Sequence, residues 1–143
     1  MPLHYKFIAD PSPVEIEQII SLYQAAEWWA AEDTKRQDLI QRLIIGSHCF
    51  LVAIEEGQIG GMGRAISDGV NDAYIQDVTV LPHLRHRGIG SRMVEMLVQR
   101  LHRDGMRWIG LIAADQSHEF YARLGFRPMP LSTPMLLKET ANK

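Results

Sequence analysis

Between Ser12 and Trp28 apolar residues recur three and four apart, at Val14, Ile16, Ile19, Ile20 and Tyr23. That is the period of one helix face. Ser12, Pro13 and Glu15 ahead of it have the spacing of a capping box with proline at the first helical position. A second stripe, Leu39, Ile40, Leu43 and Ile44, predicts a helix through "DTKRQDLIQRLIIG", capped by Asp33 or Thr34 and ended by Gly46. From Cys49 the period shortens. "CFLVAIEEGQIGGMGRAIS" predicts a hairpin turning at Glu56 and Gly57, with a glycine-rich second arm. "AYIQDVTVL" predicts the next strand after the turn "DGVND". Helical spacing returns at Met93, Val94, Leu97, Val98 and Leu101 and stops at Gly105. "HYKFIA", "MRWIGLIAA" and "TPMLLKE" predict strands, "SHEFYARLG" a short helix, and "FRPM" a further short strand. The order β-α-α-β-β-β-α-β-α-β predicts one mixed α/β domain over residues 1–143, with a parallel strand-helix-strand crossover from 73 to 113.

Inside "AYIQDVTVL" the apolar phase slips, because Ile75 is odd-numbered while Val78 and Val80 are even. A β-bulge produces such a slip, and so does a strand buried on both faces.

Composition narrows the class. The chain has 143 residues, 46% hydrophobic and 22% charged, which suits one domain with its own core. A net charge of −2 gives no electrostatic footprint for nucleic acid. The single cysteine, Cys49, rules out an intrachain disulfide and a cysteine-based zinc site, and the six histidines show no metal-ligand spacing. "MPLHYKFIAD" does not read as a signal peptide, and no run reaches the ~18 apolar residues of a membrane span. The expectation is a cytoplasmic protein without a metal, a nucleic-acid partner or a membrane partner.

The chemistry gathers in "VTVLPHLRHRGIGSRMVEML", residues 78–97. A strand ends at Pro82, three basic or titratable residues follow (Arg85, His86, Arg87), and Gly88 and Gly90 stand directly against an amphipathic helix. Helix N-termini present unpaired N–H groups and partial positive charge, and glycines let an anion come close. The stretch therefore reads as a phosphate or pyrophosphate cradle, against the plainer reading of turn punctuation. A Walker loop needs a Gly-Lys pair that is absent, and a dinucleotide fingerprint has Met93 where a third small residue belongs.

Taken together, "V78-T-V-L-P82-H-L-R85-H-R-G88-I-G90" and the helix after it resemble the acyl-CoA binding signature, Q/R-x-x-G-x-G/A, of the GNAT superfamily of N-acetyltransferases. "F120-Y121-A-R-L124-G125-F126" is similar to the superfamily's second hallmark, a short helix with an aromatic pair ending in Gly-Phe. The resemblance implies a mixed central sheet with a splayed parallel strand pair and helices on both faces. It also implies acetyl-CoA as co-substrate and a primary amine of a small molecule or peptide as acceptor, with a homodimer frequent in the superfamily. By that pattern, backbone N–H groups of Arg85, His86, Arg87, Gly88, Ile89, Gly90 and Ser91 hold the pyrophosphate. Val78, Thr79 and Val80 pair with the pantetheine arm, and a bulge near 76–78 opens the slot for it and polarises the thioester carbonyl.

Tyr121 matches the family tyrosine that protonates the departing thiolate. Asp77, a carboxylate in an apolar strand, is the candidate to accept the amine proton, against a structural role at the bulge. Asp68, Asp115 and Glu119 stand behind it, and His118 reads as solvent-facing. Trp28 and Trp29 fit an acceptor wall, helix packing or a dimer contact equally well. The competing class is a CoA-binding regulatory module of the same fold that transfers nothing.

Overall fold

The computed structural model describes residues 2–30, 32, 36–114 and 116–138. Two compact units divide the chain, Met1–Leu111 and Ile112–Lys143.

The first unit is built on a five-stranded sheet in the order β1-β2-β3-β4-β5. Its strands are β1 (His4–Phe7), β2 (Cys49–Glu55), β3 (Gln58–Ser67), β4 (Asp72–Val80) and β5 (Trp108–Gly110). The first four run antiparallel to their neighbours, and β4 and β5 are parallel. The β2–β3 hairpin turns at Glu56 and Gly57, both left-handed (φ 53° and 76°), as a two-residue turn of matching twist requires.

Helix α1 (Pro13–Ala25) starts on the expected capping box: the Glu15 N–H donates to Ser12 Oγ at 3.2 Å, and the Ser12 N–H donates to Glu15 Oε1 at 2.9 Å. It ends in a Schellman closure, with the Trp28 N–H on the Tyr23 carbonyl (3.0 Å), the Glu27 N–H on the Gln24 carbonyl (2.9 Å) and Glu27 left-handed (φ 62°). That closure lays the Trp28 ring edge-on against Tyr23, with centroids 6.1 Å apart. Helix α2 (Gln37–Gly46) carries the expected stripe and begins after Arg36, later than a cap at Asp33 or Thr34 implies. The expected caps Asp33 and Thr34 lie outside the described residues.

Alternation along the strands splits the core into two layers. On one face Phe50, Val52 and Met62 pack with Ile16, Ile19, Ile20, Tyr23, Ile40 and Ile44 of α1 and α2. On the other lies α3 (Ile89–Arg103), with Met93, Val94, Leu97 and Leu101 fully buried. Burying each such side chain contributes roughly 1.5–3 kcal/mol. Gly63 of β3 lets the layers close there: a Cβ would lie 3.1 Å from Leu97 Cδ1 and 3.2 Å from Val78 Cγ2, a tight fit that either neighbour would have to relieve.

Three strand expectations are corrected. "MRWIGLIAA" forms a ladder only at Trp108–Gly110. "FRPM" and "TPMLLKE" form no strand among the described residues, and Met129, Met135, Leu136 and Leu137 stay exposed. An apolar run becomes a strand only where an edge accepts its hydrogen bonds, which composition does not encode.

The second unit carries α4 (His118–Arg123). Its end is a second Schellman closure, with the Phe126 N–H on the Tyr121 carbonyl and the Gly125 N–H on the Ala122 carbonyl, both 3.1 Å, and Gly125 at φ 99°. This is the physical content of the "LGF" signature: the turn folds the Phe126 ring back toward Tyr121.

Candidate active site

β4 and β5 pair only at Asp72↔Trp108, Ala73↔Ile109 and Tyr74↔Gly110. Beyond Tyr74, β4 runs on to Val80 with no strand on that side among the described residues. The splayed pair expected from the resemblance is present, and no described strand pairs with this side of β4 from Ile75 to Val80.

On its other side β4 is bulged. The register passes from Arg64↔Gln76 to Met62↔Thr79, three steps on β4 against two on β3, and Asp77 is left-handed at φ 57°. The slip in apolar phase at 75–78 was therefore a bulge and not a strand buried on both faces. Val78, Thr79 and Val80 are half-buried on the open stretch.

The Asp77 side chain turns into the protein. Asp77 Oδ2 accepts from Arg64 Nε at 2.8 Å and from the Tyr23 hydroxyl at 2.7 Å, with the carboxylate side chain 3% and the guanidinium side chain 14% exposed. Arg64 also donates from Nη1 to Ser47 Oγ (3.2 Å) and from Nη2 to Gln76 Oε1 (3.3 Å). Burial, reinforced by the Asp77 carboxylate, pushes the Tyr23 phenol far up, so Tyr23 is a fixed donor. Protonating Oδ2 would disrupt two bonds, one of them charge-assisted, which makes this oxygen a poor proton acceptor. Sequence reasoning singled out Asp77 but not its partners. The available signal was Arg64, a lone charge inside a glycine-rich strand that had to be buried.

After Val80 the chain makes a 3-10 turn at Pro82–Leu84 and reaches α3 through two left-handed residues, His86 (φ 64°) and Gly88 (φ 80°), on either side of Arg87. Alternation of this kind turns successive N–H groups into an anion-binding concavity. The Arg92 N–H donates to the Gly88 carbonyl at 3.0 Å, opening the helical ladder. The N–H groups of Ile89, Gly90 and Ser91 precede that bond, at the helix start where no intrahelical carbonyl is available, and take no side-chain cap from Gly88. Arg85 Nε donates to the Val80 carbonyl (3.0 Å), which holds its guanidinium at the end of β4. Arg87 is engaged elsewhere, in a two-pronged pair with Glu55 (2.9 and 2.7 Å) that holds the Glu55 carboxyl below its ordinary range.

A Cβ at Gly88 would meet nothing within 4 Å, so glycine is required there by φ and not by space. If the turn holds the pyrophosphate that the resemblance implies, Gly88→Val should force it out of its left-handed conformation and weaken CoA binding about tenfold or more by calorimetry. Gly88→Asn, which tolerates φ > 0, should keep affinity within a few-fold. Equal affinity of the valine variant and the native chain would contradict this.

In the second unit Tyr121 is edge-on to Phe120 (4.9 Å) and Phe126 (5.9 Å), and burial raises its phenol above the ordinary value. The group carries its proton at neutral pH. His118 and Glu119 are exposed on α4, and Asp115 lies outside the described residues. Asp68 closes the β3–β4 turn by accepting from the Val70 N–H at 3.0 Å. Burial raises the Cys49 thiol to about 11, the mark of an inert core cysteine. Trp28 belongs to the end of α1. Trp29 stacks on Tyr23 (4.8 Å, 25°) and lines an open groove of about 530 Å³ with Leu39, Arg42 and Leu43.

A mixed sheet opened beside a bulged strand, with a glycine-capped helix directly after it, defines the GNAT fold. The acetyltransferase (GNAT) family model matches residues 15–126, and the chain belongs to that family. Over 76 residues it is 40% identical to GCN5-related N-acetyltransferase 2, chloroplastic, of Arabidopsis thaliana, a match covering 53% of this chain and 30% of that protein. The chain thus spans about a third of the length of the curated relatives it first matches. In fold it is similar to a GNAT family acetyltransferase from Streptococcus pneumoniae TIGR4, with TM-score 0.76, 21% identity and 95% and 97% of the two chains covered. It is also similar to a predicted acetyltransferase from Clostridium acetobutylicum whose crystal structure is with acetyl-CoA, with TM-score 0.73, 18% identity and 97% and 99% covered.

Proposed function

We propose that this protein is an acetyl-CoA-dependent N-acetyltransferase that passes the acetyl group directly to a primary amine of a small molecule or peptide. The observation that carries this reading is the bulged β4, unpaired by any described strand beyond Tyr74 on one side, running within eight residues into a helix whose first N–H groups have no intrahelical partner. Acetyl-CoA supplies the electrophile, an acetyl thioester. The N–H groups of Ile89, Gly90 and Ser91, with the turn at Arg85–Gly88, bind its pyrophosphate. The backbone of Val78, Thr79 and Val80 orients the pantetheine arm, and the bulge polarises the thioester carbonyl, a role of donors aimed at developing charge. Tyr121, by its place in the aromatic-Gly-Phe motif and its neutral phenol, gives a proton to the departing thiolate.

Asp77 has a different position in this reading from the one its sequence context suggested. With Oδ2 bound to Arg64 and Tyr23, it serves the bulge, and the proton lost by the amine nitrogen passes to solvent water, from which the Tyr121 phenol regains the one it gave. A pH profile separates the two roles. If Asp77 were the base, Asp77→Asn would remove the acidic limb of kcat/KM. The proposal predicts that the limb survives at lower overall rate. Thiol release from acetyl-CoA across a panel of primary amines tests the activity itself, and acetyl-CoA binding without turnover on any amine would favour the regulatory module.

A further inference from the structure

We infer that Tyr23 and Arg64 are positioning residues for acetyl transfer, acting through Asp77 to hold the β4 bulge in the one conformation that aims its backbone at the acetyl carbonyl. The inference rests on the proposed reaction and assigns to it two residues far from β4 in sequence.

A left-handed backbone is disfavoured for any residue with a Cβ and persists where its surroundings over-determine it. At Asp77 (φ 57°) those surroundings include side chains from α1 and from β3. Tyr23, 1% exposed, reaches Oδ2 from the last turn of α1, and the Schellman closure behind it fixes that turn. Arg64 reaches the same oxygen from β3. Its two remaining prongs end on Ser47, at the exit of α2, and on Gln76, the residue just before the bulge. Ser47 is itself fixed, donating to the Leu43 carbonyl at 2.6 Å. Gly63, across from the bulge, leaves the space that Val78 fills. A guanidinium with all three nitrogens on partners holds direction as well as charge.

The same tyrosine has a second contact. Its ring stacks on Trp29, a wall of the groove between the end of α1 and α2. Tyr23 thus joins that groove wall to the bulge through one rigid side chain, so displacing it should alter carbonyl alignment more than donor affinity. Misplacing a reacting group by about 1 Å can cost on the order of 100-fold in rate.

The test uses Tyr23→Phe, which removes one hydroxyl and keeps the ring in the core, and Arg64→Lys, which keeps the charge and loses the fork. Acetyl-CoA carrying ¹³C at the thioester carbonyl is bound to each protein, and its carbonyl stretch is read by isotope-edited infrared spectroscopy beside kcat and the dissociation constant of CoA. The expected result is a lowered carbonyl frequency in the native complex that moves back toward the free value in both variants. With it, kcat should fall about tenfold while CoA affinity stays within about twofold. A purely structural network would shift melting but not the carbonyl band of the folded complex. An identical band in native and variant proteins, or loss of CoA affinity in proportion to kcat, would overturn the inference alone. Failure of the native chain to bind acetyl-CoA would overturn it together with the reaction it rests on.

Discussion

Tyr121→Phe should lower kcat about 100-fold, within the range for loss of a general acid, and leave the dissociation constant of acetyl-CoA nearly unchanged. The phenyl ring keeps its edge-to-face packing with Phe120 and Phe126, so the variant removes the proton and little else. Because burial holds the native phenol above its ordinary value, the group stays protonated through neutral and mildly alkaline pH. Any alkaline limb below about pH 10 in the native profile should therefore come from another group and persist in the variant. Steady-state kinetics by thiol release, with affinity measured separately, checks both points. An unchanged kcat would remove Tyr121 from the chemistry.

The second large effect is on stability. Arg64→Leu should destabilise the fold by about 3–5 kcal/mol, because it leaves the Asp77 carboxylate buried without its counter-ion. That is a large share of the roughly 5–15 kcal/mol that holds a domain together. The pair is deep enough for such a figure, at 14% and 3% side-chain exposure. Adding Asp77→Asn to Arg64→Leu should recover part of the loss, since the second change removes the stranded charge, and the two would then be non-additive. Urea titration of the three proteins decides it. A cost below about 1 kcal/mol for Arg64→Leu would show that the pair is solvated and does not pin the bulge.

What could be read from the sequence and what could not divide along physical lines. Signals carried by a few adjacent residues were legible: the capping box at Ser12 and Glu15, the hairpin at Glu56 and Gly57, and the glycine-capped start of α3. The phase slip at 75–78 was legible, but the local pattern fitted a bulge and a strand buried on both faces equally, and only the register on β3 separates them. Partnerships across the fold were not legible. Nothing in the local context of Tyr23, 54 positions from Asp77, marks it as that carboxylate's donor, and Arg64 is 13 positions away on another strand. Nor does local pattern say that Arg87, one of the basic residues expected to add charge at the cradle, is held by Glu55, 32 positions back. The strands expected at "FRPM" and "TPMLLKE" failed for the converse reason. Their composition suits a sheet, but pairing is a property of the edge they would have to meet.

The most direct test of the account is thermal melting of the native chain with acetyl-CoA, with NAD and ATP as controls. The account predicts stabilisation by acetyl-CoA and by CoA only, about 2.7 kcal/mol at a ligand concentration 100 times the dissociation constant. For a chain of 143 residues that is a rise of several degrees, on the order of 2–4 °C or slightly more per kcal/mol. No rise with acetyl-CoA, or an equal rise with NAD or ATP, would contradict the account and leave the open edge of β4 and the glycine-capped helix without the ligand assigned to them.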